Sequence, residues 1–427
     1  MPKSAFNAIR NSVCSFLGGA KVSFNELEEC DQSDGDNERD LVIGIEIDAI
    51  PYQFRARRGS LAFTATEESF IREMLTALEG LFSGFSAKGY AAHFRTALLT
   101  SLMDIAVARY IRDDRKGVFW TTQNLIQLLK KLSYQRYEGA PATTGFLVYR
   151  NQLEELLPLL KKTRYSWLDL GDDRKRINAN FFVNPLSYRF VDGLRALYIS
   201  DIRMNVKGTI RTSSPGPRDS IDQLANRETV ALLEHAGSGA FAIYVNEASE
   251  IEVVLDSGKL LVWRKGDWGI YDPDIFRVFL SGCIDRRAID VLIWSVYALS
   301  KSRHGTVILI SDGKTDLQEL RKGSVGGRDP LSRALIRHVC GTRIGVLKRS
   351  GELMRILSSD GLTVINRKGE LLDTGVIIDT SKAGDLVTGG GRTTAAAAAS
   401  HYGRVVKVSE DGPIELFFQG QLVYRFG

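Results

Sequence analysis

Apolar residues fall in short alternating or continuous blocks over 41–47, 52–57 and 146–149, the pattern of strands, with Pro51 punctuating the first pair. Over 67–81, 91–111 and 122–132 they recur at three- and four-residue spacing, the mark of helices with one buried stripe; Ala97, Leu98, Leu102, Ile105, Ala106 and Ala108 make the clearest one. A short helix is expected over 153–160, shortened by Pro158, then a charged loop over 169–176, a strand over 181–185 stopped by Pro185, and a short element over 194–199. Beyond a helix at 227–235, strands are expected at 240–246, 250–255 and 260–263, the last two joined by a turn at Asp256-Ser257-Gly258-Lys259.

From Pro273 helices and strands alternate. Helices are expected at 273–280, 287–302, 330–338 and 351–357, and strands at 307–310, 362–366 and 376–378. A Gly-rich loop, Thr388-Gly389-Gly390-Gly391-Arg392-Thr393-Thr394, then opens onto an alanine run, 395–399, and strands at 404–408, 414–418 and 423–426 finish the chain. The fold class expected is α/β or α+β: a C-terminal domain with a central mixed sheet flanked by helices, preceded by a mixed α+β N-terminal region. The acidic run 28–40 reads as an exposed loop, and 207–218, with Gly208, Pro215, Gly216 and Pro217 among Ser and Thr, reads as a linker. The domains are therefore expected at 1–206, at 219–272 (a β-meander joining to the C-terminal domain) and at 273–427.

Composition agrees with a folded chain of more than one core. The 427 residues are 44% hydrophobic and 25% charged. The net charge of +5 is small for this length, so nucleic acid is not an expected partner. Cys14, Cys30, Cys283 and Cys340 are scattered without metal-ligand spacing, which reads as reduced core thiols, and the five histidines form no zinc pattern. No signal-peptide h-region is evident at the N-terminus, and the apolar stretch 288–299 is too short to span a bilayer and contains Asp290. A cytoplasmic location without membrane attachment is expected.

The chemistry concentrates in 359–412. A glycine loop opening onto an alanine helix presents unsatisfied N–H groups and the positive end of a helix dipole, an arrangement suited to phosphate. Asp360-Gly361-Leu362 precedes it, and Val405-Val406-Lys407-Val408-Ser409-Glu410-Asp411-Gly412 follows. In this order, and with the strand 307–310 ahead of them, the motifs resemble the diadenylate cyclase (DAC, or DisA-N) domain, over about 273–427. That family carries Asp-Gly-Ala, then Gly-(Thr/Ser)-Arg-His-Arg opening a helix, then a strand ending in Ser-Glu and a turn glycine. Asp360 and Gly361 match the first motif, with Leu362 in place of alanine. Gly390 and Arg392 match the second, with Gly391 between them, Thr393 in place of histidine and Thr394 in place of the second arginine; Ser400, Ser409, Glu410 and Gly412 keep their places. The segment Tyr134 to Gly145, with Arg-Tyr-Glu-Gly and Thr-Thr-Gly, resembles the extension of a group of such proteins labelled DACNV, regarded as sensors in prokaryotic signalling and antiphage defence.

The resemblance implies a nucleotide pocket formed by Asp360, Gly361, Leu362, Gly390, Gly391, Arg392, Thr393, Thr394, Ser409 and Glu410. In the family, two ATP molecules meet across a dimer with a divalent metal, the aspartate helps organise the attacking 3′-hydroxyl, and the Arg-His-Arg group holds phosphates. Exchanging an arginine for a threonine removes a charge-assisted contact of roughly 1.5–3 kcal/mol. The expected function is therefore a sensor of a cyclic dinucleotide or related nucleotide signal without turnover. Two alternatives stay open: an active diadenylate cyclase making cyclic di-AMP, with Asp360 as its catalytic aspartate, Asp360 and Glu410 as possible metal ligands and Mg or Mn as cofactor; and an interaction module with a vestigial pocket. A homodimer or a separate effector protein is the expected partner besides the nucleotide. His304, before the glycine that opens a core strand, is a further candidate for the pocket's edge, although such a histidine is more often a strand-edge residue making a local hydrogen bond.

Overall fold

The computed structural model describes residues 2–27, 39–83, 101–112, 119–149, 157–158, 160, 165–171, 175–212, 221–236, 239–313, 320, 328–380 and 390–427. The acidic run up to residue 38, Cys30, most of the helix expected at 153–160, residues 91–100 of the helix expected at 91–111, and Thr388 and Gly389 lie outside the described residues. The chain is mixed α/β and divides into two units: residues 1–216, 226–272 and 427 form the first, and 217–225 with 273–426 the second. Among the described residues no helix is long and apolar enough to cross a membrane.

The first unit opens with helix α1 (Pro2–Phe16), whose Phe6, Ile9, Val13 and Phe16 are buried at three- and four-residue spacing. Strands β1 (Lys21–Glu26), β2 (Asp40–Ile47) and β3 (Ile50–Arg57) form an antiparallel sheet in the order β1-β3-β2. Phe24 stacks between Phe6 and Tyr52, with ring centroids 5.0 and 5.1 Å away. Helix α2 (Ala65–Ser83) starts with a capping box: the Thr64 N–H donates to Glu67 Oε2 at 2.9 Å, and the Glu67 N–H donates to Thr64 Oγ1 at 3.3 Å. Helices α3 (Leu102–Ile111) and α4 (Phe119–Ser133) follow. Asp104 is buried in α3, and its carboxylate accepts from Lys130 Nζ at 2.6 Å and Trp268 Nε1 at 2.7 Å, so this interior charge is both paired and hydrogen-bonded.

Among the described residues a further sheet of this unit holds eight strands: β4 (Thr144–Tyr149), β5 (Tyr165–Asp169), β6 (Ala196–Asp201), β7 (Val206–Thr212), β8 (Phe241–Val245), β9 (Ile251–Leu255), β10 (Leu260–Arg264) and β11 (Asp267–Tyr271), with helix α5 (Arg227–Ala236) between β7 and β8. Their order is β11-β10-β9-β8-β4-β6-β7-β5, and only β4 and β6 pair in parallel. Three expectations are corrected here. The meander does not belong with the C-terminal domain: β8 pairs with β4 from Phe241↔Val148 to Val245↔Thr144 and so extends the first unit's sheet. Residues 206–212 are a strand rather than a linker. Gly208 serves close approach, since a Cβ there would lie 2.4 Å from both the Leu168 carbonyl and the Trp167 ring. Residues Ala179–Phe182 form a turn of 3₁₀ helix instead of a strand, because Asn178 Oδ1 accepts the Asn180 N–H at 3.0 Å and caps it.

The second unit begins with helices α6 (Pro273–Leu280) and α7 (Arg286–Lys301), the latter capped by Asp285, whose Oδ1 accepts the Arg287 N–H at 2.9 Å. Strand β12 (Thr306–Ser311) is buried throughout. Helices α8 (Pro330–Val339), α9 (Ile344–Ser350) and α10 (Leu353–Leu357) lead to β13 (Leu362–Ile365) and β14 (Leu371–Val376); helix α11 (Gly391–Ala399) precedes β15 (Gly403–Val408), β16 (Ile414–Phe418) and β17 (Gln421–Phe426). The sheet order is β14-β13-β12-β15-β16-β17, with β12 and β13 parallel and every other pair antiparallel. The strand expected at 376–378 starts earlier and ends at Val376, because the turn at Gly369 (φ +75°) folds β14 straight back onto β13. Ala396 to Ala399 are fully buried against Val307, Leu309, Leu362 and Val405; side chains this small let α11 lie close upon the sheet.

Candidate functional site

The register of the second sheet brings the sequence motifs to one end of it. Val307 pairs with Leu362 and Thr306 with Val408, so the start of β12, the start of β13 and the end of β15 share an edge. Continuing those ladders puts Asp360 level with Gly305, and Ser409 and Glu410 level with Gly305 and His304. Helix α11 runs from the same edge.

Arg392, in the first turn of α11, reaches back to this edge, where its Nη1 lies 2.6 Å from Glu410 Oε1. Both side chains are largely solvated, 40% and 67% exposed, so the pair is worth at most about 1 kcal/mol and can be exchanged for another partner. Gly305 makes room for it. A Cβ there would stand 2.8 Å from Arg392 Nη1 and 3.0 Å from Glu410 Cγ. Gly390 caps α11 in an extended conformation without a side-chain hydrogen bond, and the first turn carries no acidic residue. The helix end therefore keeps its positive potential beside the arginine.

Thr393 has a different role. Its Oγ1 accepts from Lys407 Nζ at 2.7 Å, and that ammonium also meets Glu415 Oε2 at 2.6 Å. Lys407 and Glu415 are both buried, so the hydroxyl belongs to an interior polar network that ties the start of α11 to β15 and β16. Lys407 is the neighbour that sequence reading passes over: it stands among valines on a strand, and its pairing with Glu415 becomes visible only from the register of β15 with β16.

Asp360 is exposed, and its Oδ1 accepts the N–H of Gly361 at 3.0 Å. Gly361 is required by the backbone: its φ is +93°, and a Cβ would meet the Gly375 carbonyl carbon at 2.8 Å. Leu362, expected to line the pocket, is instead 2% exposed within the core beneath α11. Gly391 is exposed and Thr394 half-buried in the first turn of that helix. Ser409 closes the β15–β16 turn, its N–H donating to Pro413 O at 2.8 Å, and Ser300 Oγ and Arg303 Nη1 hold this turn through the carbonyls of Gly412 and Asp411. His304 is exposed, with Nδ1 2.9 Å from Ser302 Oγ, and lines a cavity of about 720 Å³ with Asp222, Lys348, Arg349, Glu352 and Arg355. Asp360 precedes β13 and Glu410 follows β15, and among the described residues no three His, Cys, Asp or Glu side chains converge as a metal site would require.

The Tyr134 to Gly145 segment lies in the first unit, where its aromatics pack locally. Tyr134 meets Trp263 edge-on at 6.1 Å, Tyr137 meets Tyr188 at 6.5 Å, and the Arg189 guanidinium lies over the Tyr137 ring at 5.3 Å. Among the described residues Cys14, Cys283 and Cys340 form no disulfide. No protein-family model, curated protein or solved structure matches this chain.

Proposed function

We infer that the sheet edge formed by Gly305, Asp360, the first turn of α11 and the Ser409–Glu410 turn binds a nucleotide, and that the chain is a sensor of that nucleotide without turnover. The observation that carries this reading is the convergence of Arg392 and Glu410 over Gly305, beside a helix start whose N–H groups have no side-chain cap. A phosphate can replace the Glu410 carboxylate on Arg392 and take the same helix end, keeping one charge-assisted contact and adding backbone donors. The resemblance of the motif order to diadenylate cyclase domains points the same way.

The absence of turnover rests on the chemistry of the site. Nucleotidyl transfer depends on positioned positive charge around the phosphates. Here Arg392 is paired with Glu410, and Thr393, where the family has histidine, has its hydroxyl held by Lys407. A ligand of low charge, such as a cyclic dinucleotide, suits one arginine and a helix end better than two triphosphates do.

The test is calorimetry of the full chain against mononucleotides and cyclic dinucleotides, with Arg392→Ala alongside. Binding that weakens about tenfold in the variant supports the reading. A variant that binds as tightly as the parent removes Arg392 from the site. Incubation with ATP and Mn²⁺ or Mg²⁺ examines turnover, and a cyclic dinucleotide product that vanishes in Asp360→Asn overturns the sensor in favour of a cyclase.

A further inference from the structure

A second concave site lies in the same unit, away from the motifs. Three segments far apart in the chain converge there: the start of α7, the helix α9 with its leading Arg343, and the turn between β13 and β14. They enclose a cavity of about 460 Å³ that carries Arg287, Arg343, Lys348, Arg349 and Lys368 against the one carboxylate of Asp285. That carboxylate is occupied in capping α7, where it accepts the Arg287 N–H. Lys348 pairs with Asp222 at 2.7 Å. The other four cations are exposed and make no ion pair among the described residues.

The walls are held by backbone. The Asp285 N–H donates to Arg367 O at 2.9 Å, and the Ile344 N–H donates to Gly369 O at 2.9 Å. Asn366 Oδ1 accepts the N–H groups of Lys368 and Glu370, each at 2.9 Å. Gly369 is seated so tightly on α7 that a Cβ would meet Ala288 Cβ at 2.5 Å. The cations are thus presented by a preformed frame, and their mutual repulsion costs stability unless a counter-ion is present.

We propose that this cleft is a binding site for a compact oligophosphate, either free or as the polyphosphate tail of a nucleotide. Three arginine forks and a lysine around one cavity match several phosphate groups, and a single carboxylate or phosphate would leave most of the charge unanswered. The volume lies in the range of small-ligand pockets, roughly 300–1,000 Å³, which favours a compact ligand over a nucleic-acid backbone.

Calorimetry of the full chain with sodium tripolyphosphate, ATP and a single-stranded oligonucleotide tests this. Tripolyphosphate is expected to bind, more weakly as salt rises, and to lose roughly tenfold or more in the exposed double variant Arg343→Ala/Lys368→Ala. The double variant should lose this binding in the parent and in an Arg392→Ala background alike, which separates this cleft from the nucleotide site proposed above. Equal affinity for tripolyphosphate and ATP would assign recognition to the phosphates alone, and tighter ATP binding that the double variant abolishes would assign the nucleotide tail as the natural occupant. The proposal is overturned if the double variant binds tripolyphosphate like the parent, or if the oligonucleotide binds and tripolyphosphate neither binds nor competes.

Discussion

Arg392 Nη1 and Glu410 Oε1 stand 2.6 Å apart above Gly305, which makes the arginine's present partner a competitor of any anionic ligand. Glu410→Gln should therefore raise nucleotide affinity several-fold, because the ligand no longer has to displace a charge. The thermal midpoint should barely move, since an exposed pair contributes about 0–1 kcal/mol. Calorimetry and a melting curve on the same variant check both halves. Weakened binding would show that Glu410 contacts the ligand directly.

Gly305→Val examines the same pair from beneath. The added side chain must push aside the Arg392 guanidinium, now 2.8 Å from the position of its Cβ. An arginine on a helix start can swing into solvent, so the fold should survive while nucleotide affinity falls. Denaturant titration beside the binding measurement would separate these, and an unchanged affinity would detach Gly305 from the site.

Gly361→Ala should behave in the opposite way. Its φ of +93° and the 2.8 Å approach to Gly375 both exclude a side chain, and the neighbour here is backbone that cannot swing away. A loss of about 2–4 kcal/mol in urea unfolding is expected. The glycine of the Asp-Gly pair is thus accounted for by its positive φ and its approach to the Gly375 backbone, whatever the aspartate does.

Lys407→Met should be costly as well. It strands Glu415 inside the sheet, with Arg425 3.6 Å away as its remaining cation, and it removes the donor to Thr393. Breaking a buried pair from one side typically costs about 3–5 kcal/mol, while replacing both partners by apolar groups is far milder. Lys407→Met/Glu415→Leu should therefore recover most of the stability that Lys407→Met loses. A double variant no better than the single would mean that the network is held elsewhere.

These two cases mark what the sequence discloses and what it withholds. Elements with unbroken apolar periodicity are legible from it: β12 and the hairpin strands β15 and β16 fall within a residue of expectation, whereas the alanine helix starts four residues early, at Gly391, and takes in the end of the glycine loop. The strand β7 is not, because its glycine reads as flexibility until Trp167 is seen packed on it. Asp360, Arg392 and Glu410 are legible as candidates because their motif order is local to each strand or helix. Lys407 is hidden because burial of a lysine depends on which residue faces it across the ladder, and Leu362 is misplaced for the same reason, its direction being set by the face that α11 covers. The basic cleft is hidden more deeply, since it exists only where three distant segments meet.

In the first unit, burial pushes the Tyr198 phenol up to about 12, while its hydroxyl donates to Ser187 O at 2.7 Å. The neutral form is favoured by folding, and the unfolded phenol titrates near about 10. Its contribution to stability is therefore complete below about pH 10 and is lost as pH rises through the folded value near 12. Tyr165, pushed up to about 12 chiefly by burial and secondarily by Glu228, adds a slope of the same sign. Tyr198→Phe should lower stability at neutral pH by about 1 kcal/mol for the lost hydrogen bond. It should also flatten part of the alkaline decline, leaving the portion due to Tyr165 and to Tyr244 and Tyr271, which burial also raises. Urea unfolding followed from neutral to strongly alkaline pH reads both effects, and a decline as steep in Tyr198→Phe as in the parent would assign the alkaline loss to other groups.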